Sequence, residues 1–261
     1  MFLQKNGGGC ILTIGLIFSS CSKEPVELNE KNLGYPLSAA TSPLPENYVQ
    51  NPLNPHDTSG QRHNSHLIAF FNDVKTDRSS YKLSDVIDYF NFPFSLREFE
   101  ANYQSRLDSI ENQTFPESEY EISPDYYDFV FGLLSIVNSN TKSLTDKIND
   151  IKLLETTILS ASVNESQRSV MYVAGSIARF SSYFWAHEDE GGLNWASKVH
   201  DYGFNSNGNN SPSYGPNWED VAGDDISGAL IGAWFTANPF VALGGGVASS
   251  AWSVMDHYWG G

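Results

Sequence analysis

Apolar residues recur at helical spacing through the middle of this chain, and capping or proline signals separate the runs. Leu67, Phe70, Phe71 and Val74 fall at i, i+3, i+4 and i+7, which predicts a helix with one buried face from Gln61 onward. Ser84, Asp85 and Val86 open a short helix ending near Tyr89 and Phe90, and Pro93 breaks the chain there. Ser95-Leu96-Arg97-Glu98 matches a capping box ahead of Phe99, Tyr103, Leu107 and Ile110. Ser123-Pro124 places a cap residue before a proline at the first helical position, and Phe129, Val130, Leu133, Leu134 and Val137 follow. Ser143-Leu144-Thr145-Asp146 opens a helix lined by Leu144, Ile148, Ile151, Leu154, Ile158 and Leu159. Ser162-Val163-Asn164-Glu165 reads as a second capping box, starting a helix with Val170, Val173, Ala174, Ile177, Ser181, Phe184 and Trp185 on its apolar side. No segment alternates like a strand. The expected fold is all-α, an irregular multi-helix bundle with five or six helices in its body.

The C-terminal part constrains the fold differently. Residues 226–255 carry no charge and are bounded by Asp224 and Asp225 on one side and Asp256 on the other. Small residues recur at spacing four: Gly228 and Gly232; Ala229, Ala233 and Ala237; Gly244 and Ala248. That pattern lets helices approach closely. Asn238-Pro239 interrupts it, and Gly244-Gly245-Gly246 weakens any helix by about 1 kcal/mol per glycine relative to alanine. Divided at Pro239, the halves are roughly 20 and 24 Å long, whereas a bilayer's hydrocarbon core is about 30 Å thick. A Gly/Ala-rich helical hairpin is therefore expected rather than two spans. Its apolar surface has three possible destinations: the helical body, a membrane, or a second copy of itself. Trp234, Trp252, Tyr258 and Trp259 suit a membrane interface as well as a core.

The N-terminus reads as an export signal. Lys5 precedes an apolar run, Ile11 to Phe18, then Ser19, Ser20 and Cys21. The uncharged stretch of about 15 residues is too short to span a bilayer and suits a cleaved secretory segment. Small residues immediately before Cys21 fit a lipoprotein signal peptidase, with cleavage leaving a lipid on the Cys21 thiol; Phe18 departs from the usual pattern, and ordinary secretory cleavage nearby is the alternative. Of two cysteines, Cys10 leaves with the signal. The mature chain then has no disulfide and no thiolate site for catalysis or zinc. Pro25, Pro36, Pro43, Pro45, Pro52 and Pro55 recur among Ser, Asn and Glu, as in an extended spacer. The expected organisation is a signal peptide over 1–20, a flexible tether over 21–60, a helical domain over 61–200, an Asn/Ser/Gly-rich loop over 201–217 and the hydrophobic segment over 218–261.

The charge narrows the function classes. The chain has 31 acidic and 15 basic residues and a net charge of −16. Such a surface repels phosphate backbones, so no nucleic-acid partner is expected. No phosphate loop, dinucleotide fingerprint, His-Glu-x-x-His or Gly-x-Ser-x-Gly is present. Two histidine groups remain: His56, Asp57, His63 and His66, of which the last two share a helical face, and His187 with Glu188, Asp189 and Glu190 at a helix end. Both read as helix-terminal or solvated polar groups rather than as ligands, so neither a metal nor a cofactor is expected, nor a catalytic residue assigned. Arg179 is expected to pair with an acid on a neighbouring helix.

Three stretches resemble an uncharacterised group of lipoproteins from Bacteroidota: Asn54-Pro55-His56-Asp57 with Gly60 and His63-Asn64; Ser176-Ile177-Ala178-Arg179-Phe180-Ser181-Ser182-Tyr183-Phe184-Trp185; and Asp224-Asp225-Ile226-Ser227-Gly228-Ala229. The resemblance implies a secreted, mostly helical protein and supplies no active site. The Gly/Ala tail also looks like the membrane-active part of some class II bacteriocins, but here it lacks basic residues, is joined to an acidic body, and carries Pro239 and three successive glycines. The leading expectation is a lipid-anchored envelope protein, at the outer membrane or cell surface of a Gram-negative cell. Its body would be a non-enzymatic binding or interaction module, with an envelope protein as partner. The alternative is a membrane-active, toxin-like effector using residues 226–255; a hydrolase with an unrecognised site is a third reading.

Overall fold

The computed structural model describes residues 43–74, 123–199 and 217–236 and, near the C-terminus, 243–247, 249–251 and 253–254. The signal, Cys21, the helices expected near 84–90 and 95–110, most of the 201–217 loop and the Asn238-Pro239 break lie outside the described residues. Every regular element described is helical. The helices are α1 (Glu46–Val49), α2 (Thr58–Val74), α3 (Pro124–Val137), α4 (Leu144–Thr157), α5 (Glu165–Trp185), α6 (Trp195–Val199) and α7 (Trp218–Thr236), with a short 3-10 turn over Glu188–Glu190. Described residues between 243 and 254 are also helical and form the second arm of the Gly/Ala hairpin. The fold is the all-α, irregular multi-helix arrangement that the periodicity predicts.

Local chemistry sets the helix starts. Ser123 Oγ accepts the Asp125 N–H at 3.2 Å, with Pro124 at the first helical position. Ser143 Oγ accepts the Asp146 N–H at 3.2 Å and opens α4. Replacing Ser143 with Ala should cost about 1 kcal/mol in a denaturant titration. The capping box of α5 sits two residues later than expected. Asn164 Oδ1 accepts the Gln167 N–H at 2.8 Å, and Gln167 Oε1 accepts the Asn164 N–H at 3.2 Å. Ser162 is not the cap because its own N–H donates to Asp125 Oδ2 at 2.5 Å, which ties this loop to the start of α3.

Helix α5 is the axis of the molecule. It packs against α2, α4 and α3, and most extensively against α7. The sequence reads it as amphipathic, yet every residue from Val170 to Trp185 is buried. Small residues on its second face make this feasible. At Gly175, a β-carbon would stand 2.5 Å from Glu155 Oε1, so α4 and its buried acid lie directly against the α5 backbone. Leu67, Phe70, Phe71, Phe129, Leu133, Val137, Leu144, Ile148, Ile151 and Ile158 fill the core as their spacing predicts. Leu159, placed on that face by the same pattern, is 73% exposed because α4 ends at Thr157.

Segments on both flanks of the central helices join the core. From Pro43 onward the proline-rich stretch is docked rather than extended: α1 forms, Val49 is fully buried, and Asn51 and Asn54 are buried too. Its asparagine amides find carboxylate and carbonyl partners in the core, which a solvated spacer would not offer. The C-terminal segment shares the core of the body, through Ile226, Ala229, Leu243, Val247, Ala251 and Val254. The hairpin arms meet at Gly228, where a β-carbon would stand 2.5 Å from the Gly245 carbonyl oxygen and 2.7 Å from Ser249 Cβ. The small-residue repeat therefore serves close helix packing. Among the described residues, no helix is long and apolar enough to cross a membrane.

Candidate functional site

Two buried polar networks lie along α5, and residues 54–64, 176–185 and 224–229 meet there. The first joins the segment before α2 to α4 and α5. Arg179 is fully buried. Its guanidinium donates to Asp57 Oδ1 at 2.6 Å, to Glu155 Oε1 at 3.1 Å and to the Val49 carbonyl. The pairing expected for Arg179 is thus made with Glu155 on α4. Asn54 Nδ2 donates to Glu155 Oε1 at 2.6 Å and to the Tyr172 carbonyl at 2.8 Å, while Asn51 Nδ2 donates to Glu155 Oε2 at 2.5 Å. Ser176 Oγ donates to the Asp57 carbonyl at 2.6 Å and accepts the Gly60 N–H at 2.9 Å. Burial pushes the Glu155 carboxyl above its ordinary range, against the opposing pull of Arg179, Asn51 and Asn54. Both Glu155 oxygens accept hydrogen bonds inside the network. The arrangement is chemically a clamp: it fixes the chain from Val49 to Gly60 on the central helix.

The second network joins α2, α5, α7 and the C-terminal arm. His63 is fully buried. Asn64 Nδ2 donates to the Phe180 carbonyl at 2.9 Å, which turns Asn64 Oδ1 toward His63 Nδ1 at 3.0 Å. Nδ1 must then carry hydrogen, because the amide oxygen only accepts. His63 Nε2 faces Asp225 Oδ1 at 3.5 Å. Asp225 Oδ2 accepts from Trp185 Nε1 at 3.0 Å and from Ser181 Oγ. Asp224, next in the chain and also buried, is hydrogen-bonded to Ser253 of the C-terminal arm. Burial alone would strip the proton from His63, but the Asp225 carboxylate, Asn64 and the Gly246 backbone outweigh it and hold the imidazole above its ordinary range. Burial, opposed by Ser253 and reinforced by Asp225 and Asp220, pushes the Asp224 carboxyl up to about 8.

The histidine groups are dispersed. His63 turns to Asp225. His66, three residues on, is partly buried, and burial first, then His63 and Arg62, lower its affinity for a proton. His56 lies against Tyr172 with ring centroids 6.5 Å apart. His187 is not at the α5 terminus itself. It precedes the 3-10 turn Glu188–Glu190, and its N–H meets Glu190 Oε2 at 3.4 Å. Among the described residues, no group of three or more His, Cys, Asp or Glu side chains is placed to hold a metal ion. Cys21 lies outside the described residues.

Sequence reasoning missed the His63–Asp225 pair. Its available signal was two adjacent acids, Asp224 and Asp225, opening a long uncharged helical segment: an acid so placed enters the core with the helix and needs a partner there. A buried lysine was missed as well. Lys147 Nζ lies 3.3 Å from Glu219 Oε1 and 4.3 Å from the centroid of the Trp218 ring, joining α4 to the start of α7. No family model, curated protein or solved structure matches the chain.

Proposed function

We propose that the chain is a lipid-anchored envelope protein, akin to secreted lipoproteins of Bacteroidota, whose helical body is a non-enzymatic binding or interaction module. The signal ending at Cys21 supports the anchor. The observation that carries the reading of the body is how firmly the chain beyond the spacer is fixed. The Leu44 N–H donates to the Gly191 carbonyl at 2.8 Å, and Tyr183 Oη donates to the Leu44 carbonyl at 2.7 Å. A few residues on, buried Arg179 holds the Val49 carbonyl. Force or orientation imposed through a lipid at Cys21 would thus reach the core of the body rather than a frayed end. Such a junction suits a protein displayed from a membrane to meet a partner.

The partner is tested in the native envelope. Leu53, Leu153 and Leu159 are 74%, 67% and 73% exposed and give three positions for a photo-crosslinking residue. The expected result is one recurrent envelope protein captured from at least one position. The absence of any specific product from all three would contradict an interaction module. The membrane-active reading of residues 226–255 is less well supported, because the described residues of that segment help build the body's core. Dye leakage from vesicles on adding the full mature chain would revive it.

A further inference from the structure

The second half of α4 and the turn after it present an uncharged surface. Residues 151–164 include two charged side chains, and neither stands free in solvent: Glu155 is buried, and half-buried Lys152 donates to the Tyr48 carbonyl. What α4 and its end expose there is Leu153, Thr156, Thr157, Leu159 and Ser160, with Leu153 67% and Leu159 73% exposed. The three hydroxyls turn back on their own chain. Thr156 Oγ1 donates to the Leu153 carbonyl at 2.6 Å, Thr157 Oγ1 to the Leu154 carbonyl at 2.7 Å, and Ser160 Oγ to the Thr157 carbonyl at 3.1 Å. Arg168 closes the helix end by donating to the Ile158 and Ala161 carbonyls. A lone exposed leucine is ordinary. Two of them on one uncharged helix face, with the neighbouring hydroxyl protons already bonded, make a surface that can be covered at little desolvation cost.

A second copy of the chain is the occupant this face fits. Each copy carries a net charge of −16, so two copies repel unless they meet through a face without charge. The face is also self-complementary. Thr156 lies midway between Leu153 and Leu159, so an antiparallel pair with its two-fold axis at Thr156 sets Leu153 of each copy level with Leu159 of the other. The same register sets Asp150 level with Ser162, whereas a parallel pair would set Asp150 against itself. We propose that the outer face of α4 is a homodimer surface, pairing antiparallel with α4 of a second copy about Thr156. The face covers about two turns of one helix, less than the roughly 800 Å² per partner of a standard stable interface, so the pair is weak and reversible in dilute solution. The inference stands apart from the envelope reading; a lipid on Cys21 would add only confinement to one plane, which raises the effective concentration of copies.

The mature Cys21→Ala chain, which retains no cysteine, is the test protein. At millimolar concentration it should sediment as a concentration-dependent mixture of monomer and dimer. Leu153→Glu should leave the melting temperature unchanged, because the side chain is exposed, and weaken self-association about tenfold. Leu153→Lys/Leu159→Glu should restore it, because the register sets each lysine level with a glutamate of the other copy; Leu153→Lys/Leu159→Lys should not. Thr156→Cys should form a disulfide-linked dimer under mild oxidation about tenfold faster than Asp128→Cys, placed on the exposed side of α3. A chain that stays monomeric at millimolar concentration would overturn the proposal. So would a dimer indifferent to Leu153→Glu, a charge swap no better than the double lysine, or equal cross-linking at positions 156 and 128. Thr156→Cys leaves both leucines in place and decides the matter should their variants misfold.

Discussion

Replacing Arg179 with Met is expected to destabilise the body by about 3–5 kcal/mol, because it strands buried carboxylates without their cation. Arg179 and Glu155 are both essentially inaccessible, and Asp57 completes the group. Removing the guanidinium also deprives the Val49 carbonyl of its donor. The loss comes from leaving one partner buried alone, not from a large net stabilisation by the pair. The double variant Glu155→Gln/Arg179→Met should therefore recover part of the loss, because the amide carries no charge and its one oxygen can still accept from Asn51 or Asn54. Denaturant unfolding of the single and double variants measures both numbers. A single variant within about 1 kcal/mol of wild type would contradict a buried clamp.

Truncation of Trp185 to Ala is expected to cost a similar amount, about 3–5 kcal/mol, through lost burial and the cavity left behind. The ring is fully buried, edge-on to Phe184 at 4.8 Å and to Phe71 at 6.2 Å between centroids, and its N–H serves Asp225. Trp185→Phe separates these parts. It keeps much of the apolar area and should lose about 1.5–3 kcal/mol, the range for a hydrogen bond to a charged group. Equal losses for Phe and Ala would mean that the Asp225 contact dominates; no loss for Phe would mean that it contributes nothing.

Much of the fold is legible in the residues because its causes are local. Ser123-Pro124 and Ser143 cap helices where their chemistry predicts, and the 3.6-residue spacing of Leu67, Phe70 and Phe71, or of Ile148 and Ile151, marks a buried face before any neighbour is known. What was hidden depends on neighbours. Asn51 and Asn54 have the composition of a spacer, and only their bonds to Glu155 and Tyr172 make them core residues. Helix α5 carries Gly175, Ser176 and Ser182 on a face that reads as weakly polar, and only the close approach of neighbouring helices buries it. The Asn164 cap lost to Ser162 in the sequence reading because the competing acceptor, Asp125, is 37 residues away. The two networks share this property. Arg179 reaches Val49 across 130 residues, and His63 meets an aspartate on the last long helix described.

These networks also explain why motifs scattered along the chain belong together. Asn54, Asp57 and Gly60 dock on Ser176 and Arg179, while His63 and Asn64 dock on Asp225 and the Phe180 carbonyl. These three stretches thus supply the polar joints of one helical core.

The proposed lipid on Cys21 is the point on which the envelope reading turns, and intact mass with detergent-phase partition of protein from native envelopes measures it most directly. The expected mature chain begins at Cys21, carries the mass of a diacylglycerol on its thiol and enters the detergent phase, whereas Cys21→Ala appears in the soluble fraction. A mature chain beginning at another residue, or a Cys21→Ala variant that still fractionates with the membrane, would contradict it.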